Sequence, residues 1–321
     1  MIRYVARRVL GAGARLFCIS LILFVMLQAP PGGPADIFAA DPAASPEAIA
    51  RIKTLWGLDR PVLVQYGVWL GNAITGHWGN SFSEHRPVSS VVFERVPATL
   101  LLTGSALLFS LVVGVLLGAV GAATRRRGVQ SVVQALAVLG MSVPTFWSGM
   151  LVLLFFSVYL RWIPSSGMAT IGAGFSLADR FLHLVGPAVV LGSVYVAQWA
   201  RYTQAGLAES LREDYIRTAR AQGLGEMMLL FKHALPNASI PLVTVVGLEV
   251  PRLLAGAMVT EVVFAWPGLG RLLTASLLNR DYPVAMGVLM MLGVTVVLAN
   301  LITDSAYHRI DPRVRVNGAS A

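Results

Sequence analysis

Glu249 and Arg252 stand three residues apart inside an apolar run, a spacing that lets two side chains pair on one face of a helix. A lone charge at mid-membrane costs roughly 2.5–3.5 kcal/mol on insertion scales, so a retained pair needs a reason. One reading is a polar lining of a water-accessible path, suited to a zwitterionic solute with one charge at each end. The other is a self-neutralising pair that stabilises a helix bundle, with Arg252 snorkelling to the nearer surface. Glu261 lies further along the same run, where its carboxylate is expected to reach water or a headgroup. A second concentration of charge is Asp214–Pro236, DYIRTARAQGLGEMMLLFKHALP, a polar, Arg-rich stretch between long apolar runs. A helix is expected from Asp214 to Gln222, ending at Gly223, a residue able to take the left-handed conformation that closes a helix. Leu235-Pro236 is expected to break the chain again before the next apolar run.

Other chemistry is missing. A phosphate-cradling loop needs a lysine after its second glycine, and the two lysines, Lys53 and Lys232, follow Ile52 and Phe231. The five histidines are dispersed, with no metal-ligand spacing and no Ser–His–acid arrangement. The single cysteine, Cys18, can form no internal disulfide and reads as a small core side chain. No catalytic or metal-binding residue is assigned and the chain is not expected to be an enzyme. Energy for uphill transport would come from a partner or an ion gradient.

The elements that position these residues belong to a bilayer. Of 321 residues 56% are apolar and 13% charged, against about a quarter charged in soluble domains. The net charge of +9 is scattered between apolar segments rather than gathered on one face, which sets nucleic acid aside. A hydrocarbon core of about 30 Å takes roughly twenty apolar residues per helix. Six stretches qualify: Val9–Gln28, Thr99–Ala122, Ser131–Tyr159, Phe181–Trp199, Leu242–Phe264 and Val284–Thr303. The first is read as an uncleaved helix rather than a signal peptide, because Pro30-Pro31 directly follows the only small residue near a plausible cleavage point. With both termini inside, fifteen Arg and Lys residues from Arg3 to Arg315 fall on the cytoplasmic side. The short outer loops carry four: Arg161, Arg180, Arg271 and Arg280. The chain is therefore read as all-α, six-span, N-in and C-in.

The first outer loop, residues 29–98, is too long for a simple connection. Two short amphipathic helices are expected in it, one after Ser45-Pro46 carrying Ile49, Ile52 and Trp56, and one after Pro61 carrying Leu63, Tyr66, Leu70 and Ile74. They suit either packing on the chain's own spans or docking of an extracytoplasmic partner. Pro144 is expected to kink the third span, with Ser142 and Ser148 satisfying freed backbone groups. Gly114 and Gly118 permit close helix contact, a common pattern read as ordinary packing.

The polar segment's spacing resembles that of permease subunits of binding-protein-dependent, ATP-driven importers, in which Glu-Ala-Ala is followed by a glycine, an isoleucine and Leu-Pro at fixed intervals. Here Arg217-Thr218-Ala219 occupies the triplet, Gly223 the glycine, His233 the isoleucine position and Leu235-Pro236 the end. "DYIRTARAQGL" looks like the dipeptide and oligopeptide permease form, as do "GLDRPVLVQYGVWL", "RVPATLLL", "SVPTFWSGMLVLLFF", "VFAWPGLGRLL", "RDYPV" and "DPRVR", all in order. Gln222, Gly186 and Met286 depart from the usual residues.

The resemblance implies a type I importer permease fold in the cytoplasmic membrane of a bacterium. It divides the chain into a cytoplasmic N-terminus (1–8), a first span (9–28), the outer loop, a core of five spans (99–306) with a cytoplasmic coupling loop (207–240), and a tail (307–321). The helix at Asp214–Gln222 would dock on an ATPase subunit, its small residues Ala219 and Gly223 allowing close approach. Arg212, Asp214, Tyr215, Arg217, Thr218, Arg220, Leu235 and Pro236 complete the coupling set. Glu249 and Arg252 are candidates for the translocation path. Expected partners are a second, homologous permease, two cytoplasmic ATPase subunits holding ATP and Mg²⁺, and an extracytoplasmic peptide-binding protein. Nickel or oligosaccharide importers share this architecture, and an ATP-independent secondary transporter is the rival class.

Overall fold

The structure, a computed structural model, describes residues 2–28, 47, 59–124, 128, 131, 135, 140 and 142–310. Among these residues the fold is helical, with one isolated bridge, Asn80 to Pro87, and no strand. Four helices are long and apolar enough to cross a membrane: Leu10–Leu27, Val88–Ala123, Leu177–Ser210 and Tyr282–Thr303. A 29-residue helix, Leu235–Val263, includes all but the last residue of the stretch Leu242–Phe264. Two units are distinguished, residues 1–98 with 268–297, and residues 99–267 with 298–321.

In the first unit, α1 (Ile2–Gln28) packs on α2 (Val62–Ile74). The Ser20 and Tyr66 hydroxyls hydrogen-bond at 2.8 Å, and the Tyr66 ring lies edge-on to Phe17 and Phe24. Pro61 precedes α2 as expected, a position where its missing N–H costs nothing. The buried face differs from the expectation, however. Tyr66 is inside with Trp69 and Leu70 half-buried beside it, whereas Leu63 and Ile74 point out. Cys18 is exposed on α1 and is not a core residue. The expected helix after Ser45-Pro46 falls almost wholly outside the described residues, as does the chain from residue 311.

Beyond α2 the chain makes a tight turn at Gly79–Pro87, stitched by Ser81 N–H to Arg86 O and Val88 N–H to Gly79 O. Asp281, almost fully buried, holds this turn: one carboxylate oxygen accepts from Ser81 Oγ (2.6 Å), Ser83 Oγ (2.6 Å) and Ser83 N–H (3.1 Å). Burial alone would raise this carboxyl's pKa; the converging donors from Ser81, Ser83 and the Phe82 backbone outweigh it and hold it below the ordinary aspartate range. Helix α3 (Val88–Phe93) buries Val88, Val91 and Val92 completely.

In the second unit, α4 (Val96–Ala123) lies close against α6 (Leu177–Ser210). A Cβ on Gly114 would sit 2.5 Å from Trp199 Cβ, and one on Gly118 2.6 Å from Ala200 O, so both glycines are required for the approach. Trp199 is fully buried there and donates Nε1–H to Ser110 Oγ at 3.0 Å. Between them α5 (Thr145–Val152) begins directly after Pro144, whose φ of −58° and ψ of 137° are extended. Ser142 is helical, Val143 bends, and the helix resumes after Pro144, so the proline interrupts the helical path where a kink is expected. Ser148 N–H caps back to Pro144 O and Ser148 Oγ to Thr145 O, each at 3.0 Å. α5 then widens into a π-helical turn, Leu153–Tyr159.

Candidate functional site

Helix α6 has 34 residues, about 51 Å at 1.5 Å per residue, well beyond the hydrocarbon thickness of about 30 Å. Its far end delivers the polar segment. After Arg212 and Glu213 the chain forms α7 (Asp214–Ala221), and Asp214 places a carboxylate in the first turn and Arg220 a cation in the last, both matching the helix dipole. The helix ends as expected at Gly223, with φ of +85°. Gly223 N–H bonds to Arg220 O at 3.0 Å and Leu224 N–H reaches Ala219 O at 3.3 Å, the paired bonds of a Schellman cap. Nothing lies within 4 Å of a Cβ built on Gly223, so its left-handed backbone is the constraint in this chain.

An eight-residue helix is too short to persist in water alone. Ile216, fully buried, anchors it in a cluster with Ala119 of α4, Leu207 of α6, and Leu230, Ala234 and Ala238 further along the chain. Tyr215 adds polar stitching: its hydroxyl bonds Ser210 Oγ at the end of α6 and accepts from Asn237 Nδ2 at 3.1 Å. Arg220 grips Glu226 through two bonds, 2.8 and 3.0 Å, which raise the arginine's pKa. Arg217 pairs loosely with Asp214 at 3.3 Å, both exposed, and Thr218 Oγ1 bonds Asp214 O. Arg212 is exposed as well.

Two predicted members sit differently from the sequence picture. Ala219 is buried in the chain's own packing, not on the outward face shared by Asp214, Arg217 and Thr218. Leu235-Pro236 is no break. A helical turn at Glu226–Met228 passes through a π-helical turn, Leu229–Ala234, straight into α8 (Leu235–Val263). Pro236 sits in the first turn of α8, where its missing N–H is tolerated, and the widened turn before it relieves the clash its ring would make with an α-helical carbonyl.

Further along α8, Arg252 Nη1 donates to Glu249 Oε1 at 2.9 Å, and Gln198 Nε2 of α6 donates to the same oxygen at 2.9 Å. The Glu249 side chain is 9% exposed and that of Arg252 77%. Glu261 is fully buried, contrary to the expectation of water or headgroup. It accepts from Thr99 Oγ1 at 2.6 Å, and after α8 ends the chain folds over it, Trp266 N–H returning to Glu261 O at 2.8 Å. Sequence reasoning missed Ile216 and Gln198. Ile216 carried a signal, as the one aliphatic side chain larger than alanine in DYIRTARA; Gln198 lies 51 residues from its partner and carried none. Among the described residues no group of three His, Cys, Asp or Glu side chains could hold a metal ion.

Residues 110–316 match the family described as "Binding-protein-dependent transport system inner membrane component", and residues 1–103 match the N-terminal region of such membrane components. A candidate peptide permease protein of Brucella suis biovar 1 (strain 1330) is 40% identical, covering 98% of this chain and 100% of its own. The oligopeptide transport system permease protein AppB of Bacillus subtilis (strain 168) is 37% identical over 98% of this chain and 99% of its own. The glutathione transport system permease protein GsiC of Escherichia coli (strain K12) is 38% identical over the same shares. In fold the chain is similar to one from the inward-facing MetNI methionine ABC transporter, with a TM-score of 0.56 and 21% identity, covering 70% of this chain and 97% of that one.

Proposed function

The chain belongs to the family of binding-protein-dependent transport system inner membrane components, and from that membership we propose that it is the membrane-spanning permease of an ATP-driven importer of peptides. The names of its full-length relatives, peptide, oligopeptide and glutathione permeases, support the cargo class. In this reading six helices cross the bacterial cytoplasmic membrane with both termini inside. A second permease, two ATPase subunits holding ATP and Mg²⁺, and an extracytoplasmic peptide-binding protein complete the machine.

One observation carries the coupling mechanism. Ile216 ties α7 into the same apolar cluster as the ends of α4 and α6 and the start of α8. A push on α7 therefore cannot be absorbed by a slack loop and passes to three long helices at once. The exposed face, Asp214, Arg217 and Thr218, is the surface offered to the ATPase, with Arg212 and Tyr215 at its edge and Gly223 setting where the helix stops. Ala219 contributes from inside by keeping α7 close to the bundle, and Leu235 and Pro236 lead the motion into α8. The polar pair on α8 then faces the solute's route.

The test is ATP-dependent peptide uptake by the complete transporter in proteoliposomes. Arg217→Glu, which reverses charge on the exposed face, is expected to leave the chain inserted and folded while uptake fails. Normal uptake in that variant, or uptake by this chain alone without ATP, would overturn the reading.

A further inference from the structure

Glu249 and Arg252 do not face a solute equally. Glu249 is buried, and its Oε1 already accepts from Arg252 Nη1 and Gln198 Nε2, each at 2.9 Å. Its charge is already countered by Arg252 and its side chain is only 9% exposed, so a solute's ammonium group meets little of it. Arg252 is in the opposite condition. Its side chain is 77% exposed, and a guanidinium carries five N–H donors, of which Glu249 takes one. The pairing also orients it: Glu249, itself fixed by Gln198 on α6, pins one edge of the planar fork and leaves the remainder presented outward.

Position makes this costly unless it is used. Arg252 is the 18th residue of the 29-residue helix α8, roughly 16 Å from its outer end at 1.5 Å per residue. A cation exposed at that depth must face water, a partner or a ligand. Resting on the reading of this chain as a peptide permease, we infer that Arg252 binds the carboxylate of the passing peptide, held in position by Glu249 and Gln198. The site reads one end of the solute and leaves the ammonium end unread. A planar carboxylate can take two parallel N–H bonds from the exposed fork, a geometry that an amide cannot reproduce with equal charge.

The experiment uses the complete transporter with its binding protein in proteoliposomes. ATP-driven uptake is compared for one peptide with a free C-terminus, the same peptide amidated at the C-terminus, and the same peptide acetylated at the N-terminus. The binding protein's own preference is common to all variants, so the informative quantity is the acid-to-amide uptake ratio in wild type relative to Arg252→Gln. That ratio is expected to fall by about tenfold or more in Arg252→Gln, while the acetylated peptide follows the free one in both proteins. Arg252→Lys, which keeps the charge but loses the fork, is expected to fall between them, and it decides the matter if the glutamine variant fails to assemble. An unchanged ratio with uptake intact overturns the inference and leaves the peptide-permease reading standing. Failure of both variants to assemble with the second permease moves Arg252 to a subunit contact and equally overturns it. No uptake of any of the three peptides by the wild-type complex defeats the peptide-permease reading itself.

Discussion

Ile216→Ala isolates the mechanical claim from the docking claim. Ile216 is fully buried, points away from the exposed face of α7, and belongs to one apolar cluster with residues from four other segments. Removing three of its carbons costs about 2–5 kcal/mol by analogy with other large-to-small core changes. Because α7 is eight residues long, it has little helical stability to fall back on, and the loss lands on its attachment to the bundle. At 1.36 kcal/mol per factor of ten, even the lower figure raises the detached population roughly thirty-fold. The assay is amide hydrogen exchange across residues 214–224 in the assembled transporter, with peptide taken up per ATP hydrolysed measured in parallel. Protection is expected to fall at least thirty-fold and the uptake-to-hydrolysis ratio to drop while hydrolysis continues. Ile216→Val, costing about 0.5–1.5 kcal/mol, should give a graded, smaller effect. Unchanged exchange and an unchanged ratio in Ile216→Ala would refute the idea that this side chain makes the lever rigid.

Gly223→Ala meets open space but must hold a φ of +85°, so a loss of about 1–2 kcal/mol from α7 is expected, with Gly223→Asn milder, read by the same exchange measurement. Asp281 has a folded pKa below its unfolded value. Its stabilisation of the Gly79–Pro87 turn is therefore complete above the ordinary aspartate value of about 3.9 and is lost as pH falls through the lowered folded value. Asp281→Ala should expose the turn to proteolysis at neutral pH, whereas the wild type should become comparably exposed only in acid; equal resistance in both at neutral pH would refute the clamp. Gly118→Leu drives a side chain into the α6 backbone at Ala200 and is expected to abolish folded protein, while Gly104→Ala, with nothing within 4 Å, should express normally.

Features governed by local chemistry were legible in the sequence. Gly223 closes α7 because only a residue free of a Cβ takes that backbone cheaply, and the four long apolar helices follow from runs of apolar residues. Features set by distant neighbours were not. Ser81 and Asp281 are 200 residues apart, and nothing around either foretells that three donors converge on one carboxylate oxygen. Glu261 looked like a residue near water because its place along the helix was visible but the returning Trp266 was not. Ala219 looked like a docking surface because small size is compatible with close approach from either side, and only packing decides which. Leu235-Pro236 looked like a stop because proline usually ends a helix; the π-helical turn that accommodates it leaves no mark in composition.

That turn has a consequence for register. A π-helical turn carries one residue more than an α-helical one, and each α-helical residue advances about 100° around the axis. Leu229–Ala234 thus sets the azimuth of every side chain downstream, Glu249 and Arg252 included. Deleting one residue between Met228 and Leu235 would let the segment close as an ordinary α-turn. The guanidinium some twenty residues away would then swing by more than a quarter of a revolution, with every one of its immediate neighbours on α8 unaltered.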